Sequence, residues 1–211
     1  MSERVLVISP HPDDESIGCG GTIRRHVVAG DAVHVIFLTS GEKGGHGRSE
    51  AETIRIRERE SRSAQRILGY QSLDFYGAPD AALRSDPGMV ARVTQKMHDW
   101  RPSVLYVPHE REMHRDHRAA ARIVKSAIAR IPRSRRAVTL MYEVWTPLTR
   151  MDEIVDITPF IAIKRRAIRA YRTQCAVLDF EAAIIGLNRY RGEMFSWPEG
   201  EYAEVFARMK V

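Results

Sequence analysis

The sequence predicts an α/β fold, a mainly parallel β-sheet with helices on both faces, three layers in all. Short apolar runs alternate with stretches of helical periodicity over the first two thirds of the chain. Those runs are apolar on both faces, as strands covered by helices on each side must be. Glycine or proline marks many of the boundaries. The 211 residues suit one domain spanning 1–211.

Val5–Ser9 reads as a first buried strand, stopped by Pro10, and Ser16–Ala29 as a helix ending at Gly30. Val33–Thr39 is a second strand. The glycine-rich loop Gly41–Gly47 follows it, and then a charged helix, Glu50–Leu68, stopped by Gly69. Ser72–Tyr76 is a third strand. Gly88–Trp100 is a helix that ends before Pro102, because the residue preceding a proline disfavours helix. Val104–Val107 is a fourth strand. Ala119–Ile131 is an amphipathic helix with Ile123, Val124, Ala127, Ile128 and Ile131 on one face. Ala137–Tyr142 is a fifth strand, and the chain from about Met151 reads as mainly helical. In such sheets ligands bind beyond the carboxyl ends of the strands, so chemistry is expected in the loops after strands one, two and four.

Hydrophobic residues at 44% and charged residues at 28% describe an ordinary globular chain and exclude a disordered one. No run of about 18 apolar residues offers a membrane span. The first apolar run ends in a turn and not at a small-residue cleavage site, so it reads as a strand and not as a secretion signal. Cys19 and Cys175 fit no metal or redox spacing. Reduced thiols in the cytoplasm follow as the expectation. The net charge of +6 permits attraction to anions. Most arginines fall in helical stretches where a solvated face explains them, and no basic strand is interleaved with aromatics. No nucleic-acid partner is therefore expected.

The first strand runs into His11-Pro12-Asp13-Asp14-Glu15. Helix capping explains one carboxylate there, but not a histidine and a second carboxylate beside it. Adjacent acids repel unless a cation compensates. The fourth strand runs into a second cluster, His109 to His117, in which His114 and His117 share one side of a helical first turn. The fold brings both clusters to the same sheet edge. A catalytic zinc takes three such ligands and keeps one position open, and His11, Asp14 and His117 supply the set. Iron, cobalt and nickel accept the same donors. Asp13 is then the candidate proton acceptor for water. His114 is the candidate donor to an oxyanion or a leaving nitrogen, and Asp116 the partner that fixes its tautomer.

These segments carry a resemblance. VLVISPHPDDESIGCGGTI followed by HRDH resembles the LmbE-like, or PIG-L, family of zinc-dependent sugar N-deacetylases. TSGEKGG, Arg57–Ala64 with Leu68-Gly69, YEVWTP, VDIT and GLNRYRG…EYAEVF extend it over nearly the whole chain. The resemblance implies a Rossmann-like fold, one zinc ion, a cytoplasmic location and removal of the acetyl group from an N-acetylglucosamine-type sugar. It implies the same roles for His11, Asp14, His117, Asp13, His114 and Asp116, a substrate contact by Arg57, and a homotrimer or hexamer. Two positions depart from the pattern. Tyr171 stands where the family usually has histidine, and Glu112 where it often has aspartate or another polar group. Both are expected near the substrate.

Glu42 is a second candidate substrate contact, in a loop Gly41–Gly47 that reads as a lid. Gly18, Gly20 and Gly21 read as close packing and not as a dinucleotide loop, since pyrophosphate there would meet carboxylates. Trp145 and Trp197 read as packed aromatics that could instead stack on a sugar. Two other functions remain consistent with the residues: a zinc amidase of a non-sugar substrate, and a basic nucleic-acid module with a vestigial metal site.

Overall fold

The computed structural model describes residues 2–195 and 200–210. Seven strands form one sheet, β1 (Arg4–Ser9), β2 (Ala32–Thr39), β3 (Ser72–Ala78), β4 (Val104–Pro108), β5 (Val138–Tyr142), β6 (Glu153–Asp156) and β7 (Ala203–Arg208), in the order β3-β2-β1-β4-β5-β7-β6. The first five are parallel, and β7 runs antiparallel between β5 and β6. The helices are α1 (Asp14–Val28), α2 (Glu50–Leu68), α3 (Pro87–Trp100), α4 (Arg115–Ala129), α5 (Ile161–Ala170), α6 (Arg172–Cys175) and α7 (Phe180–Phe195).

Side chains along β1 alternate between two cores. Leu6 and Ile8 pack with Val93, Val124 and Ile128 beneath α3 and α4, while Val5 and Val7 pack with Ile23, Leu68 and Ile168 beneath α1, α2 and α5. Leu6, Ile8, Val5 and Val7 are all fully buried, which accounts for the unbroken apolar run in the sequence.

Three boundaries move in ways that matter. Helix α1 starts at Asp14 and α4 at Arg115, earlier than Ser16 and Ala119, so Asp14 lies in a first turn and not in a loop, and His117 in the first turn expected for it. The last third is not mainly helical. It adds β6 and β7, and β7 escapes a sequence reading because Glu204 interrupts its apolar residues. That carboxylate is buried and accepts from Lys164 Nζ at 2.6 Å, a residue 40 positions earlier.

The same pair shapes α1. The helix breaks at Cys19 (φ −144°, ψ 24°). Lys164 Nζ donates to the Ile17 carbonyl on one side of the break (2.8 Å), and Glu204 accepts from the Gly21 and Thr22 N–H groups on the other (2.9 and 2.7 Å). A side chain at Gly18 would enter the Tyr142 ring and one at Gly21 would enter Ile157. These glycines serve close packing, as expected.

Candidate active site

The segments that follow β1, β3 and β4 bring His11, Asp80 and Asp116 together at the carboxyl edge of the sheet. His11 Nδ1 lies 3.2 Å from Asp14 Oδ2 and 3.3 Å from His117 Nε2, and the last two atoms are 3.2 Å apart. An ion with ligand bonds of about 2.0–2.1 Å and tetrahedral angles spaces its donors about 3.3–3.4 Å apart. The triangle therefore fits a zinc-sized ion. All three residues are buried.

The other edge of the His11 ring faces two more carboxylates, with Nε2 3.1 Å from Asp80 Oδ1 and 3.3 Å from Asp116 Oδ2. Donors from His11, Asp80 and Asp116 also lie within 4.8 Å of one another, as do those of His11, His114 and His117. The Asp14 triangle is the more compact. It also leaves Nε2 of His11 free to donate to a carboxylate, the arrangement that fixes a ligand's tautomer. His117 has a looser counterpart: its Nδ1 faces Glu112 Oε2 at 3.6 Å, just beyond hydrogen-bond distance. Glu112 is held in turn by the N–H groups of Val144, Trp145 and Thr146 at 2.7, 3.0 and 3.2 Å.

Without a cation, the buried carboxylates of this cluster are balanced by drawing His11 and His117 toward their charged forms. Burial alone would lower the pKa of His11 and of His117. The Asp116, Asp14 and Asp80 carboxylates instead raise His11 well above the usual histidine range, and Asp14 with Glu112 raises His117 to about 9. Burial would raise Asp14, but His117 and His11 hold it well below the carboxylate range. A divalent ion would take over this compensation.

Asp13 occupies the N-cap position of α1 but makes no capping bond, so helix capping does not explain it. Its backbone sits at φ 130°, outside the ordinary range for a residue with a Cβ. Glu15 Oε2 accepts its N–H at 3.2 Å, and Arg57 Nη2 donates to its carboxylate at 2.9 Å and to the Pro12 carbonyl. Burial pushes the Asp13 carboxyl up to about 7 against the opposing pull of Arg57. His114 caps α4, and its Nδ1 accepts the Asp116 backbone N–H at 3.3 Å. The ring proton therefore belongs on Nε2. Burial, then the neighbouring His11 and His117, lower the His114 pKa.

The cleft has a volume of about 240 Å³ and is lined by His11, Asp13, Asp14, Arg57, Asp80 and His114, with Lys43, Gly44, Trp145, Gln174 and Phe180 at its walls. A larger cavity of about 410 Å³ lies between Met97, Arg101, Ile131 and Arg135, at the amino ends of the strands, and holds none of these groups.

The expected residues thus converge, with exceptions in detail. The Asp116 carboxylate bonds His11 and the Leu83 N–H, and it reaches His114 only through its own backbone. Glu42 does not line the cleft; its carboxylate accepts the Asp80 N–H at 2.7 Å. Arg57 lines the cleft but is committed to Asp13, Pro12 and Gly41, and side chains at Gly41 or Gly44 would collide with its guanidinium. Loop Gly41–Gly47 is a wall pinned by Lys43 N–H to Asp80 (3.0 Å) and by Gln174 to the Gly44 carbonyl (3.1 Å). Tyr171 and Glu112 lie beneath the site and not beside a substrate: both are buried, and Tyr171 OH donates to Glu15 at 2.6 Å. Trp145 is 42% exposed and not packed away, and Trp197 is outside the described residues. Asp80, which contacts His11, carries no motif that marks it in the sequence. It follows the third strand, whose carboxyl end has the same standing in a parallel sheet as the others.

The model of the PIG-L family, described as GlcNAc-PI de-N-acetylase, matches residues 6–128. The chain belongs to this family. The match spans both histidine clusters. A probable N-acetyl-alpha-D-glucosaminyl L-malate deacetylase 2 of Bacillus cereus is 32% identical over 188 residues, covering 82% of this chain and 84% of that one. Two solved structures share the PIG-L fold seen here. A conserved protein of Thermus thermophilus superposes with a TM-score of 0.86 at 31% identity, covering 99% of this chain and 97% of that one. The N,N'-diacetylchitobiose deacetylase of Pyrococcus horikoshii, solved with an inhibitor, superposes with a TM-score of 0.87 at 25% identity, covering 99% and 84%. Among the described residues no helix is long and apolar enough to cross a membrane.

Proposed function

We propose that this protein hydrolyses the acetamide of an N-acetylglucosamine-type sugar or its conjugate, with one zinc ion held by His11, Asp14 and His117. One observation supports this above the rest. The compact triangle of donor atoms opens on a cleft that also presents a carboxylate and an imidazole outside the triangle. A divalent ion there supplies a Lewis acid that makes water more acidic and polarises a carbonyl.

The chain's own groups do the rest. Asp13 takes a proton from the attacking water, held in place by Arg57 and by the Glu15 bond to its backbone. Neutral His114 donates from Nε2 to the oxygen that gains charge as water adds to the acetyl carbon. The carbon–nitrogen bond then breaks, Asp13 passes its proton to the leaving amine, and acetate and the free amino sugar are released. Asp80 and Asp116 orient His11, while Glu112 orients His117.

Acetate release from metal-replete protein, over N-acetylglucosamine, its dimer, its glycosides and a set of non-sugar amides, tests the reading. Turnover is expected on the sugars. Cleavage of a non-sugar amide with none of the sugars would replace the proposal by a different amidase.

A further inference from the structure

The walls of the cleft are not alike. One carries Lys43, Gly44, Arg57 and Gln174, which are polar. The other carries Trp145 and Phe180, whose rings meet edge to face with centroids 5.4 Å apart. Of the ten large apolar side chains exposed among the described residues, Trp145 (42%) lies on that second wall, and Met113 (70%), Val177 (50%) and Leu178 (47%) sit in the segments next to residues that line the cleft. Met113 adjoins His114, and its N–H donates to Thr146 Oγ1 at 2.9 Å, beside Trp145. Val177 and Leu178 lie between Gln174 and Phe180, both of which line the cleft; the Val177 N–H bonds the Gln174 carbonyl at 3.0 Å and the Phe180 N–H bonds that of Leu178 at 2.8 Å.

This collar exceeds what a sugar ring requires. One aromatic face suffices to stack on a pyranose, and exposing further apolar side chains at a cleft mouth marks a binding surface. Of the two cations lining the cleft, Arg57 is buried against Asp13, and Lys43 stands on the opposite, polar side, 58% exposed and paired only at the surface with Glu50.

We propose that the collar formed by Met113, Trp145, Val177, Leu178 and Phe180 receives the group attached to the sugar, and that the preferred group is apolar, aryl or alkyl. This rests on the deacetylase reading above and deepens it. The malate conjugate named for the Bacillus cereus relative would place carboxylates against apolar side chains here. The aglycone stays bound and chemically unchanged, so its contacts are alike in ground and transition state. They act on KM and leave kcat nearly level.

The test compares methyl, benzyl and octyl N-acetylglucosaminides, both anomers, with N-acetylglucosaminyl malate and diacetylchitobiose, reading acetate release. The benzyl and octyl glycosides are expected to exceed the methyl glycoside in kcat/KM by about tenfold or more, through KM, since one buried methylene is worth about fourfold. Trp145→Ala, and separately Val177→Ser with Leu178→Ser, should each shrink the benzyl-to-methyl ratio while thermal midpoints stay near wild type. The serine pair sits on the surface, so the comparison survives if Trp145→Ala folds poorly. A flat series, or a preference for malate or the second sugar, overturns this inference and leaves the deacetylase intact. Failure on every sugar sinks both. A flat series combined with a change of oligomeric state in the serine pair would make the collar an interface between copies of this chain.

Discussion

At φ 130°, Asp13 keeps a backbone that costs on the order of 1–3 kcal/mol, and the site compensates it with bonds from Glu15 and Arg57. Two adjacent carboxylates thereby point to different tasks. Asp14 joins the donor triangle while Asp13 faces the cleft. Replacing His11, Asp14 or His117 by Ala should strip the metal, since a catalytic zinc has only three protein ligands to lose. Asp13→Ala and His114→Ala should retain it and lose about two to four orders of magnitude in turnover. Metal analysis beside rate measurement on the five variants checks this, and metal loss in Asp13→Ala with retention in Asp14→Ala would exchange the two roles. The histidines and the paired acids could be singled out from residue type and spacing, and Arg57 only through the family resemblance. Glu112 and Asp80 could not be placed, because a carboxylate's duty to a distant imidazole appears only when the strands are laid side by side.

His34, away from the site, offers a pH test. Its ring meets Ser72 and Asp74 between β2 and β3. Burial, then the nearby Lys96, lower its pKa, and Asp74 only partly opposes them. The unfolded chain therefore binds more protons than the folded one just below the free histidine pKa of about 6.5. Stability contributed by neutral His34 is present above that pH and is lost as pH falls through it. Between pH 7.5 and 5 the melting temperature of His34→Gln should fall less than that of the wild type. Parallel curves would contradict the sign.

Among the elements, α1 is where local structure most directly serves the site. Its first turn carries Asp14, and the break at Cys19 is bracketed by Lys164 and Glu204. Removing one partner of a buried ion pair leaves the other uncompensated, so Lys164→Met should cost about 3–5 kcal/mol in denaturant unfolding. Lys164→Met with Glu204→Gln should cost less than the two single changes added together. Strict additivity would mean that the pair is not coupled. The central parallel strands β1 and β4 were readable because their burial on both faces left short unbroken apolar runs, whereas the edge strand β3 is only half-buried. The starts of α1 and α4 were hidden because their first turns are built from the polar residues of the site. Strand β7 was hidden by a charge whose partner is remote in sequence.

Across the whole molecule, the parallel half of the sheet and its switch of direction put two His-containing loops at one edge, and the antiparallel pair β6–β7 completes the sheet behind them. Two of the cleft's walls draw on the last third, through Gln174 and Phe180, with the exposed Val177 and Leu178 between them in sequence. The chemistry was therefore legible in two short motifs, while the shape that selects a substrate was not. Helical periodicity gives no signal for which exposed apolar residue borders a cleft. On the proposed reading, a metal held by His11, Asp14 and His117 enables release of acetate from an amino sugar. The most direct measurement is acetate release by protein stripped of metal and titrated back with zinc. The rate should rise from near zero and level off at about one ion per chain, as three donors around one open position require. Full activity in the stripped protein, or restored protein that releases no acetate, would overturn the metal-dependent deacetylase reading.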